Sequence, residues 1–151
     1  MSGPSVGGPA VSGPAVDGPA LSWRLAGAVA GGGALGAAAR HLVGLGWPAA
    51  PHGFPVATFA VNVSGCLAIG VLLGVHRGPA ARAFLGTGVL GGFTTYSAYA
   101  VETTALWGDG RPATAVGYAA ATLVCALAAT RLGIRLVRCR PIRRRPIRRR
   151  R

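Results

Sequence analysis

The sequence predicts an all-α membrane protein with four transmembrane helices, the third of them broken. Three observations lead there. Charged residues make up 13% of the chain against 51% hydrophobic, whereas a soluble domain carries about 25% charged residues. Four apolar runs follow one another between short turns rich in Gly and Pro, each near the roughly 20 residues that cross a hydrocarbon layer. The 25 glycines fall largely inside these runs and lack the three-residue period of collagen, as close packing of membrane helices favours.

Residues 1–20 precede the first run as an imperfect five-residue repeat, Val6-Gly7-Gly8-Pro9-Ala10, Val11-Ser12-Gly13-Pro14-Ala15 and Val16-Asp17-Gly18-Pro19-Ala20. Gly and Pro at this density neither hold a helix nor fill a core, so a disordered leader is expected. It has no basic n-region, and cleavage as a signal peptide is not expected. Residues 21–136 form the membrane unit and residues 137–151 an arginine-rich tail.

The first run, Leu21 to Leu45, offers Ser22 as an N-cap and Trp23 as an interfacial aromatic. Gly32 and Gly36 lie four apart on one face, where a second helix can approach. Arg40 closes the run and can reach headgroups or line a vestibule. A loop with Trp47, Pro48, Pro51, His52 and Pro55 follows. His41 and His52 flank it without a third ligand, so no metal site is expected there.

The second run, Val56 to Val75, carries Thr58, Asn62 and Ser64 ahead of a Gly70/Gly74 pair. A primary amide in hydrocarbon is costly unless it is hydrogen-bonded, so Asn62 is expected to face protein or a polar pathway. His76, Arg77, Gly78, Pro79 and Arg82 predict a turn. The third run, Ala83 to Leu106, changes character at Gly91-Gly92-Phe93-Thr94-Thr95-Tyr96-Ser97-Ala98-Tyr99. Adjacent glycines followed by β-branched threonines make a weak point where the helix can break. Such a break must be buried in protein, and its freed carbonyls can coordinate a cation. Glu102 lies near the end of this span. After a turn at residues 107–112, the fourth run, Ala113 to Leu136, places Tyr118 and Thr122 on one face.

All 16 basic residues are arginine, set against Asp17, Glu102 and Asp109, for a net charge of +13. Eleven of the 16 occur from Arg131 onward, directly after the last apolar run. That placement reads as a topology signal and anionic-lipid contact, and nucleic acid is not an expected partner. Four crossings put both termini on one side, and the tail makes that side cytoplasmic. Cys66, Cys125 and Cys139 show no disulfide or ligand spacing. No nucleophile motif, phosphate loop or hydride-cofactor fingerprint is present, so an enzyme is not expected.

Asn62, Thr94, Thr95, Tyr96, Ser97, Tyr99, Tyr118 and Thr122 are neutral hydrogen-bonding groups among apolar neighbours. Ring edges and N–H or O–H protons favour an anion, and a route without fixed charge at its centre lets the anion leave. Interhelical packing is the alternative reading of the same side chains.

Over Leu21 to Leu136 the chain resembles the bacterial fluoride channels of the Fluc or CrcB type. The resemblance rests on the glycine-rich start ending in Arg40, on Thr58-Phe59-Ala60-Val61-Asn62-Val63-Ser64-Gly65, and on residues 91–99 followed by Glu102. It implies a fluoride-selective channel in the bacterial plasma membrane, in which two four-helix subunits form an antiparallel, dual-topology dimer with two fluoride pathways. Asn62, Ser97, Tyr118 and Thr122 would line the pore. Tyr96 and Tyr99 would line it too, standing where the family usually has two phenylalanines whose ring edges face fluoride. The carbonyls of Gly91 and Thr94 would hold a structural Na+ at the dimer centre, and Arg40 and Glu102 match the charged pair at helix ends. The arginine bias disfavours insertion in both orientations, which suggests a separately encoded homologue of opposite orientation as partner. Two other classes fit less well. A small multidrug exporter needs a carboxylate in its first helix, where none occurs, and a basic-tailed membrane anchor leaves Asn62 and the residue 91–99 break without a role.

Overall fold

The computed structural model describes residues 23–47, 53–75 and 77–138. The leader, Ser22, His52, His76, Cys139 and the tail lie outside the described residues. The described chain is all-α: α1 (Trp23–Gly46), α2 (Val56–Gly74), α3 (Pro79–Arg82), a π-helix π1 (Ala83–Leu90), α4 (Gly91–Phe93), α5 (Tyr96–Gly108) and α6 (Pro112–Arg138). Residues 79–108 together make the third of four helical passes, bent between Phe93 and Tyr96.

The turn expected through Arg82 ends earlier, because Pro79 begins α3. A proline is tolerated at the start of a helix, where its missing N–H would have had no partner. Within π1 the helix is wider: the Gly91 N–H reaches back to the Gly86 carbonyl, and the Thr94 N–H then returns to the Leu90 carbonyl at 3.0 Å. Gly86 and Gly88 carry no side chain to oppose this widening.

Glycine sets the helix pairing. A Cβ on Gly32 would meet the Phe84 carbonyl at 2.5 Å and one on Gly88 the Val29 carbonyl at 2.9 Å, while Cβ atoms on Gly36 and Gly92 would collide with the Val89 and Gly33 carbonyls. The contacts advance in the same direction along both chains, so α1 and π1 run parallel with their backbones touching. On the other side, Gly70 abuts the Thr130 carbonyl, Gly133 the Leu67 carbonyl and Gly74 the Val137 side chain, so α2 and α6 run parallel. The Thr130 hydroxyl donates to the Cys66 carbonyl at 3.2 Å across that second seam. These two parallel pairs make an up-down-up-down bundle.

Burial is inverted relative to a water-soluble protein. Asn62, Thr95, Thr122, Tyr118 and Ala115 are buried, whereas Leu42, Val101, Leu123 and Val124 are each more than 60% exposed. A small and polar interior inside an apolar exterior is the arrangement a bilayer selects, since lipid is as apolar as leucine. Two of the described helices, Val56–Gly74 and Pro112–Arg138, are long and apolar enough to cross a membrane by length and composition. α1 is diluted by small residues and by Arg24, Arg40 and His41, and the third pass is divided by its break.

Candidate functional site

The site is built around the break between α4 and α5. Thr94 turns to φ −73°, ψ 155°, and Thr95 is extended at φ −145°, ψ 123°. Asn62, buried on α2, clamps this segment: the Thr95 N–H donates to its Oδ1 at 2.8 Å, and its Nδ2 donates to the Thr95 carbonyl at 2.9 Å. The Thr95 hydroxyl accepts the Ala98 N–H at 3.2 Å and so caps α5. It also lies 3.2 Å from the Ser97 hydroxyl.

These bonds redirect donors that an unbroken helix would use otherwise. The Thr95 N–H would serve the Gly91 carbonyl and the Ala98 N–H the Thr94 carbonyl, and both now point elsewhere. Gly91 and Thr94 therefore have the chemistry a hard cation needs, neutral backbone oxygens released from helical pairing. Among the described residues no three His, Cys, Asp or Glu side chains converge on a metal position, so such a cation would depend on these carbonyls.

Asn62, Thr94, Thr95, Tyr96, Tyr99 and Thr122 surround a cavity of about 300 Å³ that no charged residue lines. Tyr96 is 80% exposed on the protomer surface, with its ring centroid 5.7 Å from that of Tyr99. The Tyr99 hydroxyl donates weakly to the Ala119 carbonyl at 3.4 Å. Thr122 differs from five other helical hydroxyls. Ser64, Thr94, Thr103, Thr104 and Thr130 each donate to the carbonyl four residues back, whereas the Thr122 hydroxyl, on a residue 6% exposed, has no partner. A buried hydroxyl without a partner costs about 1–3 kcal/mol, which an acceptor arriving in the cavity would relieve.

A second cavity of about 480 Å³ is lined by Arg40, His41, Thr58 and Val61. Thr95 borders both cavities, so the segment clamped by Asn62 is the partition between a basic vestibule and a neutral chamber.

Of the predicted site residues, the structure gathers Asn62, Tyr96, Tyr99, Thr122 and Thr94 at one chamber. Ser97 is exposed beside Thr95, and Gly91 is exposed on the far side of the break. Tyr118 is fully buried and serves a different group: it donates to Glu102 Oε2 at 2.7 Å, while Thr58 donates to Oε1 at 2.7 Å. Glu102 is thus tied to α2 and α6, and Arg40 is not among its hydrogen-bond partners. The Tyr118 ring also lies edge-on to Phe54 and against Tyr99, at 5.2 and 5.5 Å. Sequence reasoning missed Thr58 as a carboxylate partner and Thr95 as the partition. The four-residue spacing of Thr58 and Asn62, which puts both on one face of α2, was the available signal.

Comparison with known proteins identifies the family of the chain. The family profile described as CrcB-like protein, Camphor Resistance (CrcB), matches residues 27–134. The chain is 50% identical over 111 residues to fluoride-specific ion channel FluC 1 of Streptomyces coelicolor, covering 69% of this chain and 71% of that one. It is 49% identical over 113 residues to the fluoride-specific ion channel FluC of Paracoccus denitrificans, covering 73% and 91%. A third relative, FluC 2 of Nocardia farcinica, is 45% identical over 118 residues, covering 74% and 83%.

Proposed function

The chain belongs to the CrcB-like family, and from that premise we propose how its residues 21–136 carry fluoride across a bacterial membrane. The protein is a fluoride-selective channel, not an enzyme, and fluoride passes by electrodiffusion. The observation that carries the mechanism is the unpartnered hydroxyl of Thr122, a residue that lines a chamber without charged side chains. Fluoride is small and accepts hydrogen bonds strongly. An O–H donated to the ion replaces part of its hydration shell, and a lining without charged side chains leaves the ion free to move on.

Each neighbouring residue has a part. Arg40 and His41 give the vestibule a basic lining that raises the local concentration of anions. Asn62 holds the Thr94–Thr95 turn in place and keeps a second amide proton for the ion, since one serves the Thr95 carbonyl. Tyr96 and Tyr99 offer ring edges to the chamber, with Ser97 at its rim. Glu102, held by Thr58 and Tyr118, fixes α5 against α2 and α6, so Tyr118 supports the site through the carboxylate. The freed carbonyls of Gly91 and Thr94 fit a Na+ ion, whose positive charge would steady the break and lower the cost of an anion nearby.

In this reading all four passes cross the membrane, and the cytoplasm holds both termini. A continuous α1 of 24 residues reaches roughly 36 Å, enough for a hydrocarbon layer of about 30 Å. The exposed Tyr96 supports completion of the chamber by a second, antiparallel subunit. The concentration of arginine in the tail favours a homologue of opposite orientation in that place.

The test is fluoride efflux from liposomes containing this chain alone or with the candidate homologue, with chloride as control. Fast efflux of fluoride but not chloride is expected; chloride efflux at a similar rate refutes the selectivity. C-terminal reporters appearing equally on both membrane faces, in cells making only this chain, refute the heteromeric pairing.

A further inference from the structure

The last two turns of α6 carry a feature that fluoride passage does not use. Arg131, Arg135 and Arg138 are all exposed, and at about 100° per residue they fall within an arc of roughly 60°. The same arc continues into Val124 and Leu127, which are 64% and 51% exposed. Val124, Leu127, Ala128, Arg131, Leu132 and Arg135 line a shallow groove of about 450 Å³. Thr122, Ala126 and Gly133 lie on the opposite side of the helix, toward the chamber and α2. The two described carboxylates, Glu102 and Asp109, lie toward the other end of the bundle, so none balances this stripe.

Depth identifies the occupant. From Pro112 to Arg131 the helix rises roughly 28 Å, close to the hydrocarbon thickness of about 30 Å. Arg131 therefore sits at the edge of the acyl region, and Arg135 and Arg138 enter the headgroup layer one and two turns further on. We propose that this groove is a binding site for one anionic phospholipid, with an acyl chain along Val124, Leu127 and Leu132 and the phosphate held between Arg131 and Arg135. Guanidinium groups suit a phosphate because they donate in a planar fork. A soluble polyanion such as nucleic acid could reach the tail but not an arginine at the level of the acyl chains.

The inference is independent of the fluoride reading, and its test reads lipid retention by native mass spectrometry of the full chain. Purified protein is offered phosphatidylglycerol and phosphatidylcholine. Selective retention of phosphatidylglycerol is expected, weakened roughly 30-fold in Arg131→Gln/Arg135→Gln, each arginine near an anionic surface being worth about a factor of five. Removing the same charge from the tail, Arg149→Gln/Arg150→Gln, should change retention by less than roughly threefold, because the proposal gives the phosphate to Arg131 and Arg135. Arg131→Lys/Arg135→Lys keeps the charge and guards against a folding defect; it should give an intermediate loss, since the planar fork is gone. Equal weakening by the tail pair would show diffuse attraction and overturn the proposal. So would equal retention of both lipids, competition by soluble glycerophosphoglycerol at the same concentration as the lipid, or competition by single-stranded DNA that the Arg131→Gln/Arg135→Gln pair abolishes.

Discussion

Replacing Thr122 by valine separates the cost of the buried hydroxyl from its use. Valine keeps the branched shape and removes only the O–H, which has no partner in the folded protomer. Without fluoride, the variant escapes the desolvation penalty of an unpaired hydroxyl and should be more stable by about 1–3 kcal/mol. With fluoride, it lacks a hydrogen bond to a charged acceptor worth about 1.5–3 kcal/mol, which corresponds to roughly 10- to 100-fold slower transport if that bond acts at the barrier. Thermal unfolding in detergent with and without fluoride, paired with liposome efflux, reads both effects. The original protein should gain stability from fluoride and the variant should not. Efflux within about twofold of the original protein, or a variant less stable in the absence of fluoride, would refute the role given to this hydroxyl.

Gly36→Ala should destabilise the bundle by about 1–3 kcal/mol because its methyl meets the Val89 carbonyl, whereas Gly31→Ala, with nothing within 4 Å, should be neutral or stabilise by up to about 1 kcal/mol; unfolding curves of the pair test this. Asn62→Ala removes both bonds to Thr95 and strands a buried N–H and carbonyl, so a loss of about 2–4 kcal/mol is expected together with loss of selective efflux. Tyr118→Phe takes one donor from Glu102 and should cost about 1.5–3 kcal/mol. If the chamber rather than this brace forms the pathway, fluoride-over-chloride selectivity should survive in that variant under conditions where it stays folded, as parallel efflux measurements can decide.

The elements that could be read from sequence were those with local chemical contrast. Gly91-Gly92 followed by Thr94-Thr95 announces a break because neither pair favours continued helix, and the bend lies there. Gly32/Gly36 and Gly70/Gly74 announce close faces because spacing alone puts small residues together. The π-helix left no such mark: Ala83 to Leu90 holds a single polar residue, Thr87, and a wider helical period is invisible when there is no second one to count against. The Thr58–Glu102–Tyr118 brace was equally hidden, since Thr58 and Glu102 lie 44 residues apart and meet only once two helices are aligned. Tyr118 was expected at the pore by likeness to the family, and its bond to Glu102, 16 residues away, had no local mark in the sequence.

The direct contact of α1 with π1 through glycine has a mechanical consequence. Where side chains separate two helices, rotamer changes can absorb sliding; here carbonyl oxygens stand against α-carbons and no soft layer intervenes. Displacing one helix along the other would drive peptide groups through each other, so this pair should behave as a single stiff strut. Ion passage is then left to small movements of hydroxyls and rings around a fixed frame, and its rate should depend only weakly on temperature, as diffusion does and a rocking carrier does not.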